Sequence, residues 1–126
     1  MLSTSPVCAV LPFLGLADAL DFYTKKLGLA LKSGSVEDGH LEFEAGKGTL
    51  LEVFESDSKK SEDTAASFEV DDLAKEMRDL RARGIVFEEY DLPGVKTVNG
   101  VATMDGERVA WFKDPGGNVL CLHQGT

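Results

Sequence analysis

The 126-residue chain repeats itself, and the repeat limits what it can fold into. Placing "LEFEAGKGTLLEVF" (Leu41 to Phe54) over "AWFKDPGGNVLCLH" (Ala110 to His123) sets Phe43 on Phe112, Gly48 on Gly117 and Leu51 on Leu120. The apolar positions Leu50 and Val53 meet Val119 and Leu122. The segments upstream agree as well. "LPFLGLADALDFYTKKLGL" and "SFEVDDLAKEMRDLRARGI" each read as a strand end, an amphipathic helix and a glycine stop. Leu16, Leu20, Tyr23 and Leu27 recur at helical spacing in the first, and Leu73, Met77 and Leu80 in the second. Asp71 or Asp72 supplies an N-cap and Gly84 a C-terminal stop. Each half is therefore predicted to run strand, helix, then three strands.

Neither half is large enough to bury a core comfortably alone, whereas the whole chain buries roughly two-thirds of its unfolded surface. The reading is one α+β domain over residues 1–126, with a first βαβββ module over about 6–56, a linker over about 56–63 and a second module over about 64–124. The linker "ESDSKKSED" has no apolar residue. The modules are expected to form a curved mixed sheet around a cleft, with the helices on the outer face. A longer excursion, Asp91 to Glu107, carries Gly94, Gly100 and Gly106 and little periodicity. It reads either as a binding loop or as a plain hairpin connection.

Charge narrows the partners. Acidic residues outnumber basic ones 22 to 13, for a net charge of −9, so the long-range field repels nucleic acid and anionic lipid. No apolar run approaches the roughly 20 residues of a membrane span. The apolar stretch "CAVLPFLGLADAL" lacks a preceding Lys or Arg and is interrupted by Pro12 and Asp18, which argues against a signal peptide. Two cysteines make no disulfide framework, so a cytoplasmic protein with reduced thiols is expected.

The closing segment "FKDPGGNVLCL" carries a turn at Asp114-Pro115-Gly116-Gly117, followed by alternation that puts Val119, Cys121 and His123 on one face. Together with "LADALDFYTKKLGL" and the duplicated βαβββ unit, it resembles the vicinal oxygen chelate superfamily, also called the glyoxalase/bleomycin-resistance/dioxygenase family. The resemblance spans essentially the whole chain. It implies either a metal-dependent enzyme or a metal-free protein that sequesters drugs, and it implies a homodimer. The family's enzymes hold a metal at matching points on the first and last strands of each half. Carried over, those points fall on Cys8, Glu52, the neighbourhood of Ala65, and Cys121, so one ligand of four is retained in type.

Two functions follow from that departure. The first is a small-molecule-binding protein with a degenerate metal site, needing no cofactor and holding an organic ligand in the cleft. The alternative is a metal-dependent, glyoxalase-like lyase, isomerase or dioxygenase with an atypical set drawn from Cys8, Glu52, Cys121 and His123. That set favours zinc or a similar divalent metal. Glu52, interrupting an apolar strand, is the candidate catalytic group or ligand anchor. Phe54, Trp111, Cys121 and His123 are the candidate ligand-binding residues. A Cys121–His123 thiol–base pair is weaker, because no third group to orient the imidazole can be named. His40 is expected in solvent, as are Glu42, Glu44, Glu88 and Glu89.

Overall fold

The computed structural model describes residues 2–125. Its strands are β1 (Cys8–Phe13), β2 (Ala30–Ser35), β3 (His40–Glu44), β4 (Leu50–Glu55), β5 (Thr64–Glu69), β6 (Asp91–Leu92), β7 (Val95–Lys96), β8 (Ala102–Met104), β9 (Glu107–Lys113) and β10 (Val119–Gln124). The helices are α1 (Leu16–Asp21) and α2 (Leu73–Ala82). Hydrogen bonding joins them into two four-stranded sheets of order β1-β4-β3-β2 and β5-β10-β9-β8, plus a β6-β7 ribbon. The two orders are the same permutation, so the duplication seen in the sequence is also a duplication of topology. In each sheet one pair is parallel, β1 with β4 and β5 with β10, and the rest are antiparallel. The fold is α+β with paired βαβββ modules.

The chain gathers into two compact units, one running to Lys60 and including Pro115–Asn118, the other comprising Ser61–Asp114 and the segment from Val119 onward. In the first unit the pleat sends Leu11, Phe13, Leu41, Phe43, Leu51 and Val53 to one face, all buried. Leu16, Ala19, Phe22 and Tyr23 complete that core, with the Tyr23 ring stacked 5.4 Å from Phe43. The single predicted helix divides: α1 passes at Phe22 into a π turn, Phe22–Lys26. The extra residue per turn brings Phe22 and Tyr23 together into the core, edge to face at 5.2 Å. The Gly15 amide at the start of α1 donates to Glu55 Oε2 at 3.0 Å, which satisfies a donor that no capping side chain reaches.

The turn after β9 closes this core. Asn118 Nδ2 donates to the Pro12 carbonyl at 2.8 Å. Gly116 lies so close to the Phe13 ring that an added Cβ would stand 2.7 Å from Cδ2.

The second unit is built the same way. Leu73, Met77 and Leu80 of α2 are buried, as are Ala110, Phe112, Leu120 and Leu122 of its sheet, and Phe87 meets Phe112 edge to face at 5.6 Å. Asp72 caps α2 by accepting from the Lys75 amide at 3.1 Å, and Gln124 Oε1 accepts from the Leu73 amide at 2.7 Å. The excursion after α2 is anchored at its base. Glu89 Oε1 accepts from Thr97 Oγ1 and from the Gly100 amide, each at 2.7 Å. Glu89 is exposed, as its sequence context implies, and serves as a structural acceptor as well. No helix among the described residues is long and apolar enough to cross a membrane.

Candidate functional site

In each unit the sheet packs one face against that unit's own helix, and among the described residues the opposite face carries no helix of the same unit. The candidate residues lie on that second face, because strand alternation sends them opposite the core residues. In the first unit that face carries Cys8 and Val10 of β1, Glu52 and Phe54 of β4, and His40 and Glu42 of β3. Register sets Glu52 beside Val10 on one side and beside Glu42 on the other, while Cys8 sits opposite Leu50. Cys8 and Glu52 are thus diagonal neighbours rather than a side-by-side pair.

His40 stands differently from the sequence expectation. It is half-buried, its Nδ1 is shielded from solvent with no hydrogen-bond partner among the described residues, and that atom lies 3.6 Å from Glu52 Oε1. Gly34, at φ 86°, makes the placement feasible, since a Cβ there would collide with the His40 carbonyl and press on its imidazole. No sequence signal marked this, because the two residues meet only through the β2–β3 pairing. Burial pushes the Cys8 thiol above its ordinary pKa, and the Glu42 carboxylate adds to the rise.

In the second unit the corresponding face carries Trp111 and Val109 of β9, Cys121 and His123 of β10, and Ser67 of β5. Cys121 is flanked by Trp111 and by Ser67. The register shifts by one residue between Val119 and Leu120, so Cys121 pairs with Ser67 rather than with Ala66. The thiol is buried, which pushes its pKa up, with Ser67 opposing the rise. His123 is held by Glu107, Nε2 to Oε2 at 2.9 Å, so its partner is a carboxylate on β9 and not the neighbouring thiol.

Trp111 is fixed at two points. Its Nε1 donates to Thr64 Oγ1 at 3.1 Å, and the Tyr90 ring meets it edge to face at 5.5 Å. Tyr90 is half-buried, and burial followed by the Glu88 charge raises its phenol pKa. Sequence reading missed Tyr90 because it lies in an aperiodic stretch before β6. Phe54, by contrast, is 36% exposed at the end of its strand.

The sequence matches the family model described as "Glyoxalase/Bleomycin resistance protein/Dioxygenase superfamily" over residues 10–122. The chain belongs to this superfamily.

Solved structures agree in fold. A member from Sphaerobacter thermophilus DSM 20745 superposes with TM-score 0.75 at 21% identity, covering 99% of this chain and 100% of that one. TnmS3, an antibiotic binding protein from Streptomyces sp. CB03234, gives TM-score 0.67 at 21% identity, covering 100% and 99%. A mutant of the fosfomycin resistance protein FosX from Listeria monocytogenes, complexed with Mn(II) and a dihydroxypropylphosphonic acid, gives TM-score 0.66 at 16% identity, covering 97% and 91%. No curated protein matches by sequence.

The superfamily's metal can be tested against the donors this chain offers. Among the described residues no three His, Cys, Asp or Glu side chains converge on a point where a metal ion could sit. Cys8 and Glu52 lie in the first unit, Cys121 and His123 in the second, and in each unit the His of the face is turned to a single carboxylate.

Proposed function

We propose that this superfamily member binds a small, planar organic molecule on the helix-free faces of its sheets and needs no resident metal to do so. The observation that carries the reading is the fixed aromatic wall. Trp111 is held by Thr64 and braced by Tyr90, beside the buried thiol of Cys121. An indole immobilised in this way offers stacking area without the entropy of ordering a free side chain. On the face of the first unit, taken by itself, Glu52, half-buried with His40 at 3.6 Å, offers an acceptor for an N–H or O–H, and Phe54 adds apolar surface beside it. Cys121 and His123 line the second face; the Glu107 carboxylate keeps His123 oriented. Support also comes from TnmS3, which shares the fold and is described as an antibiotic binding protein.

The reading extends to a cytoplasmic homodimer. The free thiols of Cys8 and Cys121 suit a reducing compartment, and Val7, Val10 and Leu14, exposed along and beside the β1 edge, suit burial against a second copy.

The competing reading, a metal-dependent lyase, isomerase or dioxygenase, draws on Glu52, the one ligand position kept in type. Trp111 is the only tryptophan, so its emission reports the site directly. Titration with a panel of planar heteroaromatic compounds should quench or shift that emission and raise the melting temperature. Tyr90→Ala should weaken the binding measured in the same way by about tenfold, corresponding to about 1.4 kcal/mol. Near-stoichiometric zinc, manganese, nickel or iron in tag-free protein, falling in Glu52→Ala, with no ligand response from Trp111, would overturn the proposal.

A further inference from the structure

The chain contains one Asn-Gly pair, Asn99-Gly100, and the structure dictates both residues. They form a two-residue turn closed by Val98 N–H to Val101 O at 2.8 Å and Val101 N–H to Val98 O at 3.1 Å. Both central residues are left-handed, with φ 53° and 82°, the arrangement that Asn-Gly adopts at least cost. Gly100 is also packed. A Cβ there would lie 3.1 Å from Arg81 Nη2, Met77 Cε and Phe87 Cβ alike, so no larger residue fits without displacing α2 side chains.

This pair is chemically fragile in a flexible chain. The Gly100 nitrogen can attack Asn99 Cγ. A C–N bond then forms, the side-chain nitrogen leaves as ammonia with the amide proton, and a five-membered succinimide results. Water opens either carbonyl of that ring and leaves aspartate or isoaspartate. Ring closure needs the Gly100 nitrogen eclipsed with Asn99 Cβ about the Cα–C bond. In the left-handed region, where ψ is about +47°, it lies nearly anti instead.

We propose that Asn99-Gly100 is a latent succinimide-forming modification site, held shut by Glu89. Three contacts must break before the peptide can rotate. The Gly100 N–H is donated to Glu89 Oε1 at 2.7 Å, the Asn99 carbonyl accepts from Arg81 Nη2 at 2.9 Å, and the Val98–Val101 pair closes the turn. A carboxylate accepting the Gly100 N–H also opposes the loss of that proton, which the attack requires. Thr97 supports the arrangement, because its hydroxyl donates to the same carboxylate oxygen. Once isoaspartate forms, the backbone gains a methylene and a two-residue turn can no longer close, so opening of this loop becomes irreversible. The inference is independent of what the aromatic wall binds.

The test compares deamidation rates by peptide-resolved mass spectrometry at one mildly alkaline pH. The samples are the folded full-length protein, a Thr97–Val101 peptide, and the variants Glu89→Ala and Glu89→Gln. The folded protein should convert at least about tenfold more slowly than the peptide. Glu89→Ala should recover about tenfold or more of that difference, the factor expected when one charge-assisted hydrogen bond need not be broken. Glu89→Gln, which keeps the shape and loses the charge, should fall between, and it decides the matter if the alanine variant fails to fold. Conversion of the folded protein at the peptide's rate, or of folded Glu89→Gln at the wild-type rate, would overturn the proposal.

Discussion

Replacing Gly116 by alanine tests how tightly the turn after β9 closes the first unit. The added Cβ would stand 2.7, 2.9 and 3.0 Å from Cδ2, Cγ and Cε2 of Phe13, inside the separation that packed carbons tolerate. The ring cannot retreat, because Phe13 is 1% exposed and shares its face with Leu11 and Val53, both buried. Gly116 is not among the glycines with positive φ, so alanine brings no backbone penalty and should even gain about 0.4–1 kcal/mol by restricting the unfolded chain. Overpacking of this kind costs about 1–3 kcal/mol, and the net expectation is a loss of about 1–2 kcal/mol. For a chain of this size that lowers the melting midpoint by several degrees, roughly 3–8 °C. Calorimetry or urea unfolding should show the midpoint falling at unchanged m-value. Phe13→Leu should be destabilising alone yet should recover part of the loss when combined with Gly116→Ala, since it removes the ring edge that the Cβ strikes. Gly46→Ala serves as control, with nothing within 4 Å of its added Cβ. An unchanged midpoint for Gly116→Ala, or strict additivity with Phe13→Leu, would refute the reasoning.

Two further outcomes follow from the second unit. Asp72→Ala removes the side-chain acceptor of the Lys75 amide and should cost about 1 kcal/mol, read as a lower urea midpoint with faster exchange in the first turn of α2. The Thr97 hydroxyl, then the Gly100 amide, with Arg81 adding, hold the Glu89 carboxyl below the usual carboxylate range. A depressed folded value means that its contribution is present above the unfolded pKa and is lost as pH falls through the folded one. The hydrogen-exchange protection factor of Gly100 should therefore hold through the ordinary carboxylate range and collapse only below it, whereas in Glu89→Gln it should show no such step.

What the sequence disclosed and what it hid divide along a physical line. The duplication was legible because strand alternation and helix period leave regular apolar marks: Leu73, Met77 and Leu80 are buried as their spacing predicts. Local chemistry was legible too, in Asp72 at the N-cap and Gly84 at φ 92° past α2. The π turn was not, because Phe22 and Tyr23 are adjacent in sequence and an ordinary helix would not bury both against one sheet so fully. The partners of the candidate side chains were also hidden. Cross-strand register brings Glu52 to His40 and Glu107 to His123, and nothing in either residue's neighbours encodes it. The donors to Glu89 were hidden for a related reason: they lie 8 and 11 residues downstream, across a stretch without periodicity. Tyr90 escaped notice because its role depends on where Trp111 stands.

The Pro115–Asn118 turn belongs to the first unit although it comes near the end of the second half of the chain. On the ribosome, residues to Lys60 emerge first, without the Asn118 amide that binds the Pro12 carbonyl or the Gly116 backbone that covers the Phe13 ring. At about 5–20 residues per second, those four residues arrive several seconds later. Until then the nascent first unit lacks the backbone that covers the Phe13 ring and the Asn118 donor to the Pro12 carbonyl. Its completion is therefore timed by the synthesis of the rest of the protein, and a chain released early should be a substrate for chaperones rather than a stable half.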